Sequence, residues 1–213
     1  MKYLSIILSV IVLFFFGCGE EMEEAKKAIE VARNAEEIAT NMEKDVSKAE
    51  KRFEKRKEIG DTLAMNYKEL QKYLPESMEG YTAKEPQGQS SQMGIYSFSQ
   101  VSREYVKETP EGRSFIEIEI LDYNQTHQMF MGITSAWSSK MKFEDDMMVE
   151  QTFDPGIENT TAFESYNKKN NDATVTYAVA WRFIIKARAN NQEGTDYLKK
   201  VVNKMDLKEL AKL

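Results

Sequence analysis

Residues 21–59 limit the structure of this chain more narrowly than any other stretch, because they contain neither proline nor glycine. They are rich in Ala, Glu, Lys and Arg, which are strong helix formers, and they predict one charged helix about 58 Å long. Its apolar residues recur at alternating spacings of three and four, with a phase slip after Ala39: Met22, Ala25, Ile29, Ala32, then Met42, Val46, Ala49 and Phe53. This narrow seam buries little area alone, so the helix is either a solvated spacer or packs against a partner helix.

A second helix is predicted directly after the first one. Gly60 ends the long helix as its C-cap residue, and Asp61 is placed to cap the next helix. The apolar residues that follow have the i, i+4, i+7, i+11 spacing of a helix that docks on a core: Leu63, Tyr67, Leu70 and Leu74. Pro75 is expected to end this helix.

The segment after Pro75 changes from loop-like to strand-like composition. Residues 76–92 are polar and predict a loop. Residues 93–107 are rich in β-formers, but the alternation changes phase between Phe98 and Val101, which indicates a bulge. Residues 114–123 alternate without interruption and place Ile116, Ile118 and Ile120 on one face.

Short turns connect most of the strand-like segments. The hairpin loop Pro110-Glu111-Gly112 precedes residues 114–123, and Asp154-Pro155-Gly156 separates two further strands. A helix is predicted over 126–142, with these residues on its inner face: Met129, Ile133, Ala136, Trp137 and Met141. Strands are predicted over 147–153 and 160–166, followed by a strand pair over 173–189 with a tight turn near Trp181. A last helix is predicted from Thr195 or Asp196. The order of elements predicts an α+β fold: a long N-terminal charged helix, then a two-layer domain with a mainly antiparallel sheet covered by helices on one face.

The N-terminus has the pattern of an export signal. Lys2 is followed by the uncharged, mostly apolar run Tyr3 to Phe16. A spanning helix needs about 20 apolar residues, so this shorter run is more typical of a signal peptide. We therefore expect three regions: a signal peptide over 1–17, a lipid-anchored cysteine and charged helical tether over 18–60, and an α+β globular domain over 61–213.

The end of that run, Phe15-Phe16-Gly17-Cys18, resembles the bacterial lipobox, with departures from its pattern at Phe15 and Phe16. The resemblance implies that Cys18 is lipidated and becomes the mature N-terminus, and Gly19 after it favours the outer membrane. The single cysteine of the chain falls at this position. The acidic residues that follow it are similar to a surface-sorting signal, and they equally suit the positive end of a helix dipole: Glu20, Glu21, Glu23 and Glu24.

The whole chain also resembles uncharacterised bacterial lipoproteins that join a charged helix to an α+β domain. The matching stretches are Gly60-Asp61-Thr62-Leu63-Ala64-Met65, Tyr67-Lys68-Glu69-Leu70-Gln71-Lys72-Tyr73-Leu74-Pro75 and Asn190-Asn191-Gln192-Glu193-Gly194-Thr195-Asp196. This resemblance implies no activity.

Charge and residue usage exclude several classes of function. The net charge of −6 argues against a nucleic-acid partner, whose phosphates need a basic surface. With one cysteine and one histidine, His127, the chain has no cysteine-based or paired-histidine metal site, and the sequence predicts no cofactor. His127 lacks a neighbour in sequence that would orient it for catalysis, so we name no catalytic residue.

Three further groups of residues have both a structural and a binding interpretation. The acidic stretch Glu144-Asp145-Asp146, with Asp154 and Glu158, is read as a solvated loop because it lacks the regular ligand spacing of a calcium site. The cations Arg182, Lys186 and Arg188 are expected to pair with Glu117 and Glu119 across the sheet, the alternative being an anionic ligand. Trp137 and Trp181 are expected in the core rather than in a pocket.

Together these observations predict a non-enzymatic envelope lipoprotein, held to a membrane by lipid on Cys18, that binds or scaffolds an envelope component. One alternative is a small-molecule or lipid-binding domain tethered to the outer membrane. Another is a structural lipoprotein that self-associates, or binds a protein partner, through helix 21–59. An enzyme that uses carboxylates alone would need two acids facing one cleft, which a sequence does not show. The periplasmic and surface faces of the outer membrane both remain open.

Overall fold

The computed structural model of the chain describes residues 19–94, 96–110, 112–134, 137 and 140–213, with side chains at Glu36 and from Ala39 onward except His127. The predicted signal peptide and Cys18 lie outside these residues. The contacts divide the chain after Thr40 into two units. In the first unit the structure describes the N-terminal part of one helix, and the second unit carries the sheet and the remaining helices.

The helices are numbered in chain order. They are α1 (Gly19–Glu58), α2 (Tyr67–Leu70), α3 (His127–Thr134), α4 (Asp196–Asn203) and α5 (Leu207–Leu210). One 3₁₀ turn, Gln71–Tyr73, continues α2, and another, Asn124–Thr126, precedes α3. α1 ends as predicted, because Gly60 has φ +78° and the N–H groups of Gly60 and Asp61 donate to the carbonyls of Lys57 and Arg56.

Nine strands are present within the described residues. They are β1 (Thr82–Ala83), β2 (Gln87–Met93), β3 (Tyr96–Thr109), β4 (Gly112–Asp122), β5 (Lys142–Glu144), β6 (Met148–Phe153), β7 (Thr160–Asn167), β8 (Asp172–Val179) and β9 (Phe183–Ala189). All of them join one antiparallel sheet in the order β1-β3-β4-β9-β8-β7-β6-β5, and β2 pairs with β3 beside β1. The predicted α+β class with a mainly antiparallel sheet is therefore confirmed.

The main core lies on one face of the sheet. The predicted alternation of β4 is confirmed, since Ile116, Ile118 and Ile120 are fully buried there. The C-terminal helices complete this core: α4 contributes Leu198 and Val202, and α5 contributes Leu207 and Leu210. The predicted last helix is thus confirmed, with Asp196 as its first residue.

The opposite face of the sheet, called the open face below, is covered at one end by α3. Phe130 of α3 is buried against Ala178 and Ile184, which point away from the main core. The prediction that helices cover one face alone is therefore wrong at this end of the sheet. Met129 and Ile133, predicted to face inward, are 61% and 43% exposed.

The predicted second helix is shorter than its apolar spacing indicates. Only Tyr67–Leu70 is α-helical, and Leu63 is exposed. The N–H of Ala64 donates to Ser97 Oγ (2.5 Å) and that of Met65 to Asp122 Oδ2 (2.7 Å), so side chains of the sheet take the groups that a helix would use. Asn66, not Asp61, caps α2.

Three further local predictions are wrong. β1 and most of β2 lie within the predicted loop 76–92. The predicted bulge in β3 is not formed, because pairing with β4 is continuous from Ser99 to Thr109. The side chain of Phe98 packs against Tyr123, which belongs to the small core under α3 on the open face. Within the predicted helix 126–142 the structure describes α3 (His127–Thr134), and the last predicted residue, Lys142, instead begins β5.

Candidate functional site

The turn between β8 and β9 organises the site. It lies near Trp181, as predicted, and the N–H of Arg182 donates to the carbonyl of Val179 (3.1 Å). Ala180 and Trp181 both have a left-handed backbone, with φ of +57° and +52°, which is uncommon for residues other than glycine. This conformation leaves Trp181 half-buried at the surface, while Arg182 is 3% exposed.

Arg182 lies between two carboxylates. Its Nε and Nη2 donate to Asp122 Oδ1 (2.9 Å) and Oδ2 (2.8 Å), and its Nη1 donates to Asp61 Oδ2 (2.7 Å). Asp122 is fully buried and also accepts the N–H groups of Met65 and Asn124. The prediction that Arg182 pairs with a glutamate on an exposed face is therefore wrong, because the turn reverses its direction into the interior.

Residues of α1 join the same cluster. Arg56 is 3% exposed, and its Nε donates to Asn124 Oδ1 (2.8 Å). The Asn124 amide in turn donates to Asp61 Oδ1 (3.0 Å). We call Arg56, Asp61, Asp122, Asn124 and Arg182 the Arg182 network. It links the C-terminal end of α1 to β4 and to the β8–β9 turn.

The two arginines of the network experience different electrostatic surroundings. Burial, followed by the positive charge of Arg182, lowers the pKa of Arg56 to about 10. Burial also acts to lower the pKa of Arg182, but its hydrogen bonds to Asp122 and the charge of Asp61 outweigh this and raise the pKa. Both groups stay charged at neutral pH, so two buried cations are held by two carboxylates.

A cleft of about 400 Å³ opens beside this network, between the C-terminal half of α1, α3 and the sheet. Its apolar lining is Met42, Phe130, Met131, Ala178 and Trp181, and its polar lining is Asp45, Lys48, Thr134 and the segment 158–161. We call it the Trp181 cleft. The guanidinium of Arg52 lies 5.6 Å from the centre of the Trp181 ring and fixes that side chain at the rim.

The chemical character of the Trp181 cleft is amphipathic. Apolar side chains and polar residues both line it, and among the polar ones Lys48 Nζ lies 4.0 Å from Asp45 Oδ1. Small-molecule sites of this kind combine apolar lining with a few polar groups that fix orientation. Trp181 thus packs against the small core under α3 and also lines the cleft, so the expectation that it belongs to the core rather than to a pocket is confirmed only in part.

Charged residues of β4 and β9 lie opposite each other on the open face. Glu117 lies opposite Arg188 and accepts from its Nε at 2.5 Å, and Glu119 lies opposite Lys186. The predicted cross-strand pairing is confirmed for Arg188. These side chains are partly exposed, so each pair contributes little to stability.

The other predicted site residues are dispersed. Cys18 and the side chain of His127 lie outside the described residues. Glu144 contacts Lys168 and Lys142, and Asp145 accepts the N–H groups of Met147 and Met148. Across the described residues, no group of three His, Cys, Asp or Glu side chains is placed to hold a metal ion.

Sequence reasoning missed a buried carboxylate on β7, for which no local pattern is a signal. Glu164 is 3% exposed and accepts from Lys199 Nζ (2.5 Å), Gln151 Nε2 (2.5 Å) and the Thr195 hydroxyl. Burial acts to raise the pKa of Glu164, but these hydrogen bonds outweigh it and lower the pKa. The group ties α4 to the sheet.

Comparisons of the chain with models of protein families, with curated proteins and with solved structures find no match. None of the helices that the structure describes combines the length and the apolar character needed to cross a bilayer.

Proposed function

We propose that this chain is a non-enzymatic envelope lipoprotein, anchored to the outer membrane by lipid on Cys18, whose α+β domain binds or scaffolds an envelope component. In this proposal the charged helix 21–59 is the tether between the lipid and the domain. The observation that carries the proposal is the integration of the C-terminal part of α1 into the domain.

Three contacts support this role of α1. Arg56 is buried in the Arg182 network, Ala49 is 1% exposed, and Arg52 Nη1 donates to the carbonyl of Ala211 at 3.1 Å. A tether whose C-terminal end is buried in the fold is attached to the domain by these contacts, whereas a loosely attached linker has none. A flexible connection would instead use Gly, Ser or Pro, which residues 21–46 lack.

Metabolic labelling with radioactive palmitate tests the anchor. The wild-type chain is expected to incorporate label and to remain with the membrane fraction after a high-salt wash, because acyl chains hold a protein independently of charge. The matched variant Cys18→Ser is expected to lose both properties. A wild-type chain that carries no label and is released by salt contradicts the proposal.

Protease shaving of intact cells then assigns the face of the membrane. Loss of the domain from intact wild-type cells indicates the surface, and protection until lysis indicates the periplasm. The Cys18→Ser variant is the control in both cases.

A second candidate function is binding of a small amphipathic molecule, and the Trp181 cleft favours it. Native mass spectrometry of the gently purified chain is expected to detect a bound molecule. Thr161→Phe, which places a ring in the cleft, is expected to abolish the bound mass, and Thr176→Phe on the neighbouring strand is the control. A wild-type chain without added mass contradicts this candidate and leaves the lipoprotein proposal standing.

A further inference from the structure

A groove of about 640 Å³ lies at the end of β8 opposite the Trp181 cleft, and its volume is within the range of ligand sites. The β3–β4 hairpin, the β7–β8 turn and the segment after β9 contribute its walls. We call it the Tyr166 groove, after a residue that lines it together with Tyr81 and three side-chain amides: Asn171, Asn191 and Gln192.

The composition of the lining restricts the kind of ligand that fits. Among the described residues that line the Tyr166 groove none is Ala, Val, Leu, Ile or Met, so a lipid chain has no aliphatic wall to contact. Lys107 and Glu193 carry the charges of this lining, one of each sign, so the groove favours neither an anion nor a cation. Apart from the tyrosines, the other residues carry uncharged hydroxyl or amide groups, which suit a neutral polar ligand.

Three polar atoms of the groove are available to such a ligand. Asn171 Nδ2, Asn191 Oδ1 and Gln192 Oε1 have no hydrogen-bond partner within the described part of the chain. The first of these atoms is a donor and the other two are acceptors. Because a hydroxyl group both donates and accepts, a ligand rich in hydroxyl groups satisfies all three.

The fold holds the amides of the groove in place through their other polar atoms. The Tyr166 hydroxyl donates to the carbonyl of Gln192 (2.9 Å) and lies 3.0 Å from Asn171 Oδ1. Asn191 Nδ2 donates to Ser114 Oγ (3.0 Å), and the N–H of Gln192 donates to the carbonyl of Asn171 (2.9 Å). The groove is thus preorganised, which reduces the entropic cost of binding.

Two tyrosine rings supply the apolar part of the groove. Tyr81 and Tyr166 are half-buried and pack against the main core. An aromatic ring with a polar tip suits a ligand that is apolar in one place and polar in another. A sugar ring has this character, because its C–H bonds form an apolar face and its hydroxyl groups form a polar rim.

We propose that the Tyr166 groove binds a neutral carbohydrate, with sugar C–H faces on the tyrosine rings and sugar hydroxyl groups on the three amides. This inference rests on the proposed function, since it names the chemical class of the envelope component that the domain binds.

Isothermal titration calorimetry of the full-length chain, in a detergent without a sugar headgroup, tests the proposal. At least one of two probes, chitotetraose and cellotetraose, is expected to bind with a Kd below about 1 mM. Binding of chitotetraose alone would show that the acetamido group is recognised, whereas binding of cellotetraose would show that hydroxyl groups suffice, and either supports the proposal. Tetraserine, which offers hydroxyl groups without a sugar ring, is expected not to bind.

The variant Asn171→Gly/Asn191→Gly removes two of the three amides and is expected to weaken binding by about tenfold or more. Both residues have a left-handed backbone, with φ of +56° and +53°, which glycine adopts freely, so the loops are retained. Asn170→Gly removes the same side chain from an exposed position of the same turn and is expected to leave the affinity unchanged. Thermal unfolding of each variant separates loss of binding from loss of fold, and the two single variants replace the double variant if it unfolds.

Three results overturn the proposal. They are a failure of both sugars to bind at about 1 mM, an affinity that the double variant and its single variants leave unchanged, and binding of tetraserine as tight as that of the sugars, which would assign the groove to a peptide. Because none of these results depends on lipid, failure here is distinguishable from failure of the palmitate-labelling test of Cys18.

Discussion

Replacing Asp122 with asparagine perturbs the Arg182 network at its most buried member. The carboxylate accepts four hydrogen bonds: Arg182 Nε and the N–H of Asn124 at Oδ1, and Arg182 Nη2 and the N–H of Met65 at Oδ2. An asparagine amide keeps one of the two acceptor oxygens. Its NH₂ group then faces two donors that lose their acceptor, and one of them in either orientation belongs to Arg182, which is 3% exposed.

The magnitude follows from those two donors and from the lost charge. Each orphaned buried donor costs about 1–3 kcal/mol, and removing one partner of a buried ion pair costs about 3–5 kcal/mol in total. Because Arg182 keeps Asp61 as a partner, we expect Asp122→Asn to lower the free energy of unfolding by about 3 kcal/mol. In urea this corresponds to a midpoint about 1–2 M lower.

Urea unfolding followed by far-UV circular dichroism measures this effect. The control is Glu117→Gln, which makes the same chemical change in the exposed pair with Arg188 and is expected to cost less than about 1 kcal/mol. If Asp122→Asn costs no more than Glu117→Gln, the buried network does not stabilise the fold and the reasoning is refuted.

Three further changes have outcomes with a defined direction. Because its pKa is lowered in the fold, Glu164 contributes stability that is present at neutral pH and is lost as the pH falls below about 4.3. Between pH 7 and 3 the urea midpoint of Glu164→Gln should therefore fall less than that of the wild type. Gly88→Ala should lower the thermal midpoint, at a cost of about 1–3 kcal/mol, because the new methyl group meets Tyr67. Gly132→Ala in α3 meets no atom within 4 Å and should raise stability by about 0.5–1 kcal/mol in the same thermal assay.

The paired glycine substitutions control for each other, since both add one methyl group. Equal effects at positions 88 and 132 would contradict the packing argument. For Glu164, parallel loss of stability in the variant and the wild type at low pH would show that its hydrogen bonds do not hold the carboxylate charged.

The elements that the sequence determined by itself are those with strong local signals. Gly60 ends α1 because only a residue without Cβ takes a left-handed conformation freely. The alternation of Ile116, Ile118 and Ile120 places their side chains on one face in any register that buries them. The turn at Trp181 was also predictable, because the run from residue 173 to 189 is too long for one ordinary strand.

Tertiary contacts decided the elements whose backbone groups find partners far along the chain. The helix predicted from Leu63 does not begin there, because Ser97 and Asp122 accept the N–H groups of Ala64 and Met65. Helical spacing alone carries no information about such competing acceptors. Phe98 likewise changes the apparent phase of β3 because a second small core lies on the open face under α3.

The candidate site depended most strongly on tertiary structure. Sequence alternation assigned Arg182 to an exposed face, but two left-handed residues before it rotate the chain and direct it towards Asp122. A buried cation is stable only where carboxylates pair with it. The two that pair with Arg182, Asp61 and Asp122, are separated by 61 positions in the sequence. Local propensity acts over a few residues, whereas the Arg182 network and the Trp181 cleft are formed by segments that only the completed sheet brings together.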